Sequence, residues 1–225
     1  MQAQGNDFVI LDGLHQPLPP IDASFVRKIC DRHLGIGCDQ LLVLEEHNNA
    51  DVLMLIYNAD GSQAANCGNG LRCVAEHLML YSMKNIVSIA LSDRIIQAKR
   101  TEHGVQVNMG IAEIEQTSPQ FTDVNIGNLH RVYFEGEALC LDRNVEIVSS
   151  WNNRDVNIRI IERGSGETLA CGSGACATAM AVWDKSGCDD EITVHMPGGD
   201  VIVSILNDEL YLEGEVNIVF SGEYF

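Results

Sequence analysis

Apolar and polar positions alternate with period two in a series of short runs: "VLMLIY", "VSIAL", "GVQVNM", "VNIRII", "EITVHM", "DVIVSIL" and "ELYLEGEVNIVF". That period predicts half-buried strands. "LLVL" and "VEIV" read as two further, more apolar strands. Elsewhere the spacing turns helical. Leu71, Val74, Ala75, Leu78 and Met79 recur along one helix face. "ACATAMAVWDK" is apolar nearly all round up to a Ser186-Gly187 stop, which predicts a buried helix. "DASFVRKICDRH" predicts a third helix with Asp22 as its N-cap. "PGG" at 197–199 reads as a hairpin turn, and 111–122 as a connection between two halves. Two central helices, each wrapped by short, mostly antiparallel strands, suit an α+β architecture.

The halves repeat one another. At an offset of 104 positions, "YNADGSQAANCGNGLRCVA" lies over "IERGSGETLACGSGACATA". Cys67 then falls on Cys171, Gly68 on Gly172, Asn69 on Ser173, Asn58 on Glu162 and Gln40 on Asn144. Further upstream the offset becomes 122, and Gly5-Asn6 matches Gly127-Asn128. The first half uses its extra length for the Asp22 helix, for which the second half has no room. The order Gly-Asn, strand, amide, strand, polar residue, loop, Cys-Gly-x-Gly, helix therefore occurs twice. This predicts two pseudo-symmetric lobes, 1–112 and 113–215, with a last strand near 216–225 returning to the first.

Cys-Gly-x-Gly at a helix start has a chemical meaning. Unpartnered N–H groups and the helix dipole favour an anion there, and glycines let a carboxylate approach closely. A cysteine at the same end is expected to have its thiolate favoured and its pKa lowered. One copy is more economically a glycine-rich cap beside a packed cysteine. Two copies at matched positions suggest two thiols serving one stereocentre, one removing a proton and the other returning one to the opposite face. Asn6 or Asn58 alone reads as a turn residue, His130 alone as a satisfied strand-end histidine, and Glu162-Arg163 alone as a surface pair.

Composition narrows the partners. The net charge is −18, with 32 acids against 14 bases, which repels phosphate backbones and argues against nucleic-acid binding. No apolar run is long enough to span a bilayer, and "MQAQGNDF" lacks the features of a signal peptide, so no membrane association and a cytoplasmic location are expected. The eight cysteines show no C-x-x-C pair, which argues against zinc, and most are expected to be reduced packing residues. No metal is expected. No P-loop, flavin motif or marked pyridoxal-phosphate lysine is evident, so no cofactor is expected either. A small amino-acid substrate is the partner these features suit, and a homodimer is compatible with them.

The stretches "GNDFVILD", "DRHLGIGCDQLLVLE", "YNADGSQAANCGNGLRC", "VNMG", "GNLH", "RNVEI" and "IERGSGETLACGSGACA" together resemble the diaminopimelate epimerase family over almost the whole chain. The resemblance implies a pyridoxal-phosphate-independent isomerase converting LL- to meso-diaminopimelate in lysine and peptidoglycan precursor synthesis. It implies two lobes, each a barrel-like sheet around a central helix, with the active site in the cleft between them. Carried over by position, Cys67 and Cys171 resemble the acid/base thiols. Gly68, Asn69, Gly172 and Ser173 resemble the N–H cradle for the reacting carboxylate. Asn6, Asn58, Asn128, Asn144, Glu162 and Arg163 resemble the residues that fix the amino groups and distal carboxylate, and Gln40 an amide near the site. His130 and Glu162 resemble groups that set thiol protonation.

Four departures stand out: the chain opens almost at "GNDF", "GNLH" stands where the family has "GNPH", Cys38 stands where phenylalanine or alanine is common, and the second lobe is short between His130 and Asn144. Two other readings remain. One is a racemase or epimerase of the same fold acting on another amino acid, against which "CGNG" counts. The other is a thiol redox or binding protein, which does not require Asn58, Asn128, Asn144 and Arg163 together.

Overall fold

The computed structural model describes residues 1–136 and 142–224. By compactness the chain divides into two units, Met1–Val107 with the stretch from Val216 onward, and Asn108–Glu215.

Unit 1 begins with β1 (Gln2–Ala3), β2 (Asn6–Asp12), α1 (Ala23–Cys30), β3 (Gln40–Glu45) and β4 (Val52–Asn58). It continues with β5 (Gln63–Ala64), α2 (Gly68–Ser82), β6 (Ile86–Ala90), β7 (Ile95–Thr101) and β8 (Gly104–Gly110). Unit 2 takes over within β8. It contains β9 (Glu113–Thr117), β10 (Phe121–Asn125), β11 (Leu129–Tyr133), β12 (Asn144–Trp151) and β13 (Asp155–Glu162). β14 (Gly166–Thr168), α3 (Gly172–Ser186), β15 (Ile192–Met196), β16 (Gly199–Leu206) and β17 (Glu209–Gly214) complete it.

The ladders repeat. In unit 1, β2 runs parallel to β3, β3 antiparallel to β4, and β4 pairs with β5 antiparallel and β6 parallel; β6, β7 and β8 follow antiparallel. In unit 2, β11 runs parallel to β12, β12 antiparallel to β13, and β13 pairs with β14 antiparallel and β15 parallel; β15, β16 and β17 follow antiparallel. Within its own unit, α3 packs against β10, β11, β12, β15, β16 and β17. One helix can touch strands from both ends of a ladder only if the sheet curls around it. α2 likewise meets β1, β2, β6 and β7.

Helix character follows from what surrounds each helix. In α2 the face of Leu71, Val74, Ala75, Leu78 and Met79 is buried. α3 is buried nearly all round, from Ala175 to Trp183 except Met180, and Gly187 ends it in the left-handed conformation at φ 65°. Asp22 caps α1 by accepting from the Phe25 amide at 2.8 Å. α1 is shorter than its pattern predicts. It stops at Cys30 because Asp31 leaves the helix and its Oδ1 accepts from the amides of His33 and Leu34. Met196 pairs with Gly199 across Pro197-Gly198, which is the expected tight hairpin.

Three expectations need correction. The segment 111–122 is not a bare connection: Glu113–Thr117 is a strand paired with β10, so it adds a hairpin arm to unit 2. The boundary expected at 112/113 falls instead at 107/108, inside β8. "ELYLEGEVNIVF" is a strand only to Gly214, and 216–224, the described part of the stretch expected as a last strand, is no strand. Its contact with β1 is a single bridge in which Gln2 and Asn217 exchange two 2.9 Å backbone hydrogen bonds. Past Gly214 the alternation ceases to report burial, for Ile218, Val219 and Phe220 are all more than half exposed.

The turns after β4 and β13 offer a test. Gly61 has φ +91°, and a Cβ there would lie 2.8 Å from the Ala23 Cβ of α1. Gly164 has φ +87° with nothing within 4 Å. Both Gly61→Ala and Gly164→Ala should lose about 1–2 kcal/mol from the positive φ, and Gly61→Ala should lose more because α1 must also shift. Thermal melts of the two variants check this; equal losses would show that the Ala23 contact carries no weight.

Candidate active site

Each central helix begins with a cysteine acting as its own cap. Cys67 precedes α2 in an extended conformation, and its Sγ accepts from the Gly70 amide at 3.3 Å. Cys171 precedes α3 in the same way, and its Sγ accepts from the Gly174 amide at 3.4 Å. The thiols take the place that an aspartate or serine oxygen usually fills. Gly68, Asn69, Gly172 and Ser173 form the first turns behind them, where N–H groups have no intrahelical acceptor.

Within unit 1 the polar side chains form one connected set. Arg72, fully buried, donates from Nη2 to Asn69 Oδ1 and to Gln4 Oε1, both at 2.7 Å. Asn69 Nδ2 donates to Asn6 Oδ1 at 3.2 Å, and Asn6 Nδ2 donates to Asp39 Oδ2 at 2.8 Å. Asp39 is held by Arg32, whose guanidinium also makes a two-pronged contact with Asp7 at 2.8 and 2.7 Å. Next to Asp39, Gln40 Nε2 donates to Asn58 Oδ1 at 2.8 Å, the two residues lying opposite one another on β3 and β4.

Unit 2 repeats the plan with different chemistry. Asn128 Nδ2 donates to Ser173 Oγ at 3.3 Å, the counterpart of the Asn69–Asn6 contact. Asn144 Oδ1 accepts from the Arg163 amide at 2.9 Å, and Glu162 Oε1 accepts from Thr168 Oγ1 at 2.7 Å. The Arg163 side chain is exposed. Ser173 Oγ also lies 3.4 Å from Cys171 Sγ and 3.1 Å from His130 Nε2. The other imidazole nitrogen, Nδ1, lies 2.8 Å from Glu146 Oε1, and both side chains are fully buried.

Side-chain contacts thus join Asn6 to Asn69 and Gln40 to Asn58 in unit 1, and Asn128, His130 and Cys171 through Ser173 in unit 2, while Gly68 and Gly172 lie at the helix starts. The expected depression of the thiol pKa does not hold for Cys171. Burial pushes that thiol well above its ordinary value, and the charges of Glu162 and Glu146 add to this. The donors Ser173 and the Gly174 amide act in the opposite direction and are outweighed. Helix-end stabilisation assumes an accessible thiol, and Cys171 is only 7% exposed. The Glu162 charge thus acts on the Cys171 pKa in the upward direction, second to burial. Cys73 and Cys176 are buried within their helices, with burial pushing the Cys73 thiol up to about 12. Cys140 lies outside the described residues.

Glu146 was not singled out by sequence reasoning. The available signal was an acid within the apolar run "NVEIV", one step from a residue that also faces inward. Arg72 was missed likewise, a charge inside a helix whose neighbours Leu71 and Cys73 are both buried.

The family model for diaminopimelate epimerase matches residues 1–115 and 119–219. This chain belongs to the diaminopimelate epimerase family. The diaminopimelate epimerase of Xanthomonas campestris pv. campestris is 32% identical over 269 aligned positions, spanning 100% of this chain and 94% of that protein. The one from Sphingopyxis alaskensis is 34% identical over 260 positions, spanning 99% and 95%. Among solved structures, a phenazine biosynthesis protein of the PhzF family from Enterococcus faecalis superposes with a TM-score of 0.75 at 14% identity, covering 98% of this chain and 93% of that one. A hydroxyproline epimerase from Agrobacterium vitis gives 0.68 at 12% identity, covering 95% and 87%. These structural likenesses establish the shared α+β fold.

The Asp7–Arg32 contact is open to a pH test. Burial raises the Asp7 carboxyl, but the Arg32 donors, the Asp39 amide and the Arg32 charge outweigh it and hold Asp7 below its usual value. A carboxyl depressed in the folded state contributes stability in full above its unfolded pKa, about 3.9, and loses it as pH falls through the folded value. Arg32→Gln should therefore lower the melting temperature most near neutral pH, with the gap to wild type closing below about pH 4. A gap that stays constant across acid pH would mean Asp7 owes its state to something else.

Proposed function

We propose that this protein interconverts LL- and meso-diaminopimelate without a cofactor, with Cys67 and Cys171 as the two acid/base groups, in the supply of lysine and peptidoglycan precursors. The observation that carries the reading is the repeated cysteine cap. Each thiol sits at the end of a helix whose first-turn amides can receive a carboxylate, and each stands beside an Asn6- or Asn128-type amide. Membership of the family supplies the substrate class.

In this reading the substrate's α-carboxylate is held by the amides of Gly68, Asn69, Gly172 and Ser173, which also receive charge as the α-carbon loses its proton. One thiolate takes the α-proton, and the opposite thiol delivers its own to the other face, so the two sulfurs exchange protonation states in each turnover. Before substrate arrives, Cys171 rests as the thiol, because burial and its two glutamate neighbours disfavour the charge. Gln40, Asn58, Asn144, Glu162 and the exposed Arg163 guanidinium hold the ammonium groups and the distal carboxylate, and select diaminopimelate over a shorter amino acid. Among the described residues no helix is long and apolar enough to cross a membrane. The reading places the enzyme in the cytoplasm with a small amino acid as its partner, no nucleic acid or membrane, and a homodimer as a compatible assembly.

The test follows protons. At low conversion in deuterated water, product from either isomer should carry solvent deuterium at the epimerised carbon while remaining substrate stays unlabelled. Cys67→Ala and Cys171→Ala should each lower turnover by at least about 10³-fold with the fold intact, the scale of losing an acid/base group. Product that mostly keeps the original hydrogen would exclude two opposed bases, and turnover of hydroxyproline in place of diaminopimelate would move the substrate assignment.

A further inference from the structure

The two units differ most beside their thiols. The offset that superposes Asn6 on Asn128 puts Phe8 on His130, and the offset that superposes Cys67 on Cys171 puts Leu42 on Glu146. The strand register agrees: Phe8 lies opposite Gln40, and His130 opposite Asn144. A Cβ on Gly70 would meet the Leu42 methyls, whereas one on Gly174 would meet the Glu146 carboxylate. Where unit 1 has two apolar side chains that carry no proton, unit 2 has a buried imidazole and a buried carboxylate in contact. A hydrogen-bonded chain leads from this pair, Glu146 Oε1 to His130 at 2.8 Å, His130 Nε2 to Ser173 Oγ at 3.1 Å, and Ser173 Oγ to Cys171 Sγ at 3.4 Å. Burying a carboxylate is costly unless it is paired and hydrogen-bonded. Glu146 Oε2 is itself buried without a hydrogen-bond partner.

We propose that Glu146 is a positioning residue for Cys171: its carboxylate keeps His130 with Nδ1–H turned toward it and Nε2 toward Ser173, giving Cys171 an internal proton acceptor. A carboxylate can only accept, so the imidazole nitrogen facing it must carry the hydrogen, which leaves Nε2 with its lone pair toward the serine. The Cys171 proton then passes from Sγ to Ser173 Oγ as the serine's own proton passes to His130 Nε2. One S–H bond is replaced by an N–H bond, and nothing is oxidised. The product is a thiolate, an intact serine and an imidazolium whose charge Glu146 balances. The titratable side chains gathered here are His130 from β11, Glu146 from β12, Glu162 from β13 and Cys171 at α3. The charges of Glu162 and Glu146 both oppose the thiolate, so the imidazolium is the compensating cation. The inference deepens the two-thiol reading and rests on it for the use made of Cys171, while the hydrogen-bond arrangement can be tested without turnover.

The experiment uses the full-length protein, wild type, Glu146→Gln and Glu146→Leu, the last copying the residue at the matched position in unit 1. Nitrogen-15 NMR of the His130 ring reports which nitrogen carries hydrogen, and peptide mass spectrometry compares iodoacetamide alkylation of Cys171 with that of Cys67. In wild type, hydrogen should reside on Nδ1 in the neutral ring. Both variants remove a charge that disfavours the Cys171 thiolate, yet losing the aligned acceptor should outweigh this and slow alkylation of Cys171 relative to Cys67 by about tenfold, the change in thiolate fraction from one pKa unit, with kcat falling by a similar factor and KM within about twofold. A wild-type neutral ring protonated at Nε2, or an unchanged or increased Cys171-to-Cys67 ratio in both variants, would overturn the proposal. If the wild type shows the expected ring state but epimerises no diaminopimelate, the functional reading fails and the role of Glu146 stands. Should a variant fail to fold, the wild-type ring measurement still decides.

Discussion

A sulfur that accepts a hydrogen bond from the amide three residues on is the contact on which the rest of this structure depends. It fixes the start of α2 at Gly68 and of α3 at Gly172. It also dictates the glycines. A side chain on Gly174 would run into Glu146, and one on Gly70 would crowd Leu42 and the Cys67 sulfur. The cap ties the thiol to the helix geometry, so the reactive atom and the first-turn amides are placed by the same hydrogen bond. A loop cysteine would have to order itself at each encounter; here that entropy is spent on folding.

The curled sheets serve to place amides around those helix ends. β3 and β4 bring Gln40 opposite Asn58, and β11 and β12 bring His130 opposite Asn144. These positions lie at strand ends, where side chains are polar and the neighbouring interior is packed. The duplicated ladder keeps the plan constant, so side chains were free to diverge: asparagine to serine at one cap, and phenylalanine with leucine to histidine with glutamate beside the other. Shared backbone and divergent chemistry explain how two units of like topology surround their thiols with different side chains.

The helix starts, the Asp22 cap and the Pro197-Gly198 hairpin were legible because each is a local matter, settled by residues within a few positions. The matched asparagines were legible because duplication puts them at fixed offsets. What escaped was set by burial. The length of α1 depended on Asp31 finding the amides of His33 and Leu34. The raised Cys171 pKa depended on how deeply the cap is covered and on Glu162 and Glu146 from two separate strands. Glu146 escaped because a lone acid in an apolar strand gives no hint of the histidine it meets 16 positions away. The strand-like run beyond Gly214 misled for the converse reason, since its apolar residues are largely exposed.

The bridge between Gln2 and Asn217 gives the chain an uneven order of assembly. Unit 2 is contiguous, so all of its partners emerge from the ribosome together and it can close by itself. Unit 1 is interrupted: its first strand pairs at once with β2 but meets Asn217 on its other side only more than two hundred residues later. Until then the outer edge of β1 is an unpaired strand edge of the kind that invites pairing with other chains. Loss of the stretch around Asn217 would therefore act less on either thiol than on the solubility of the newly made protein.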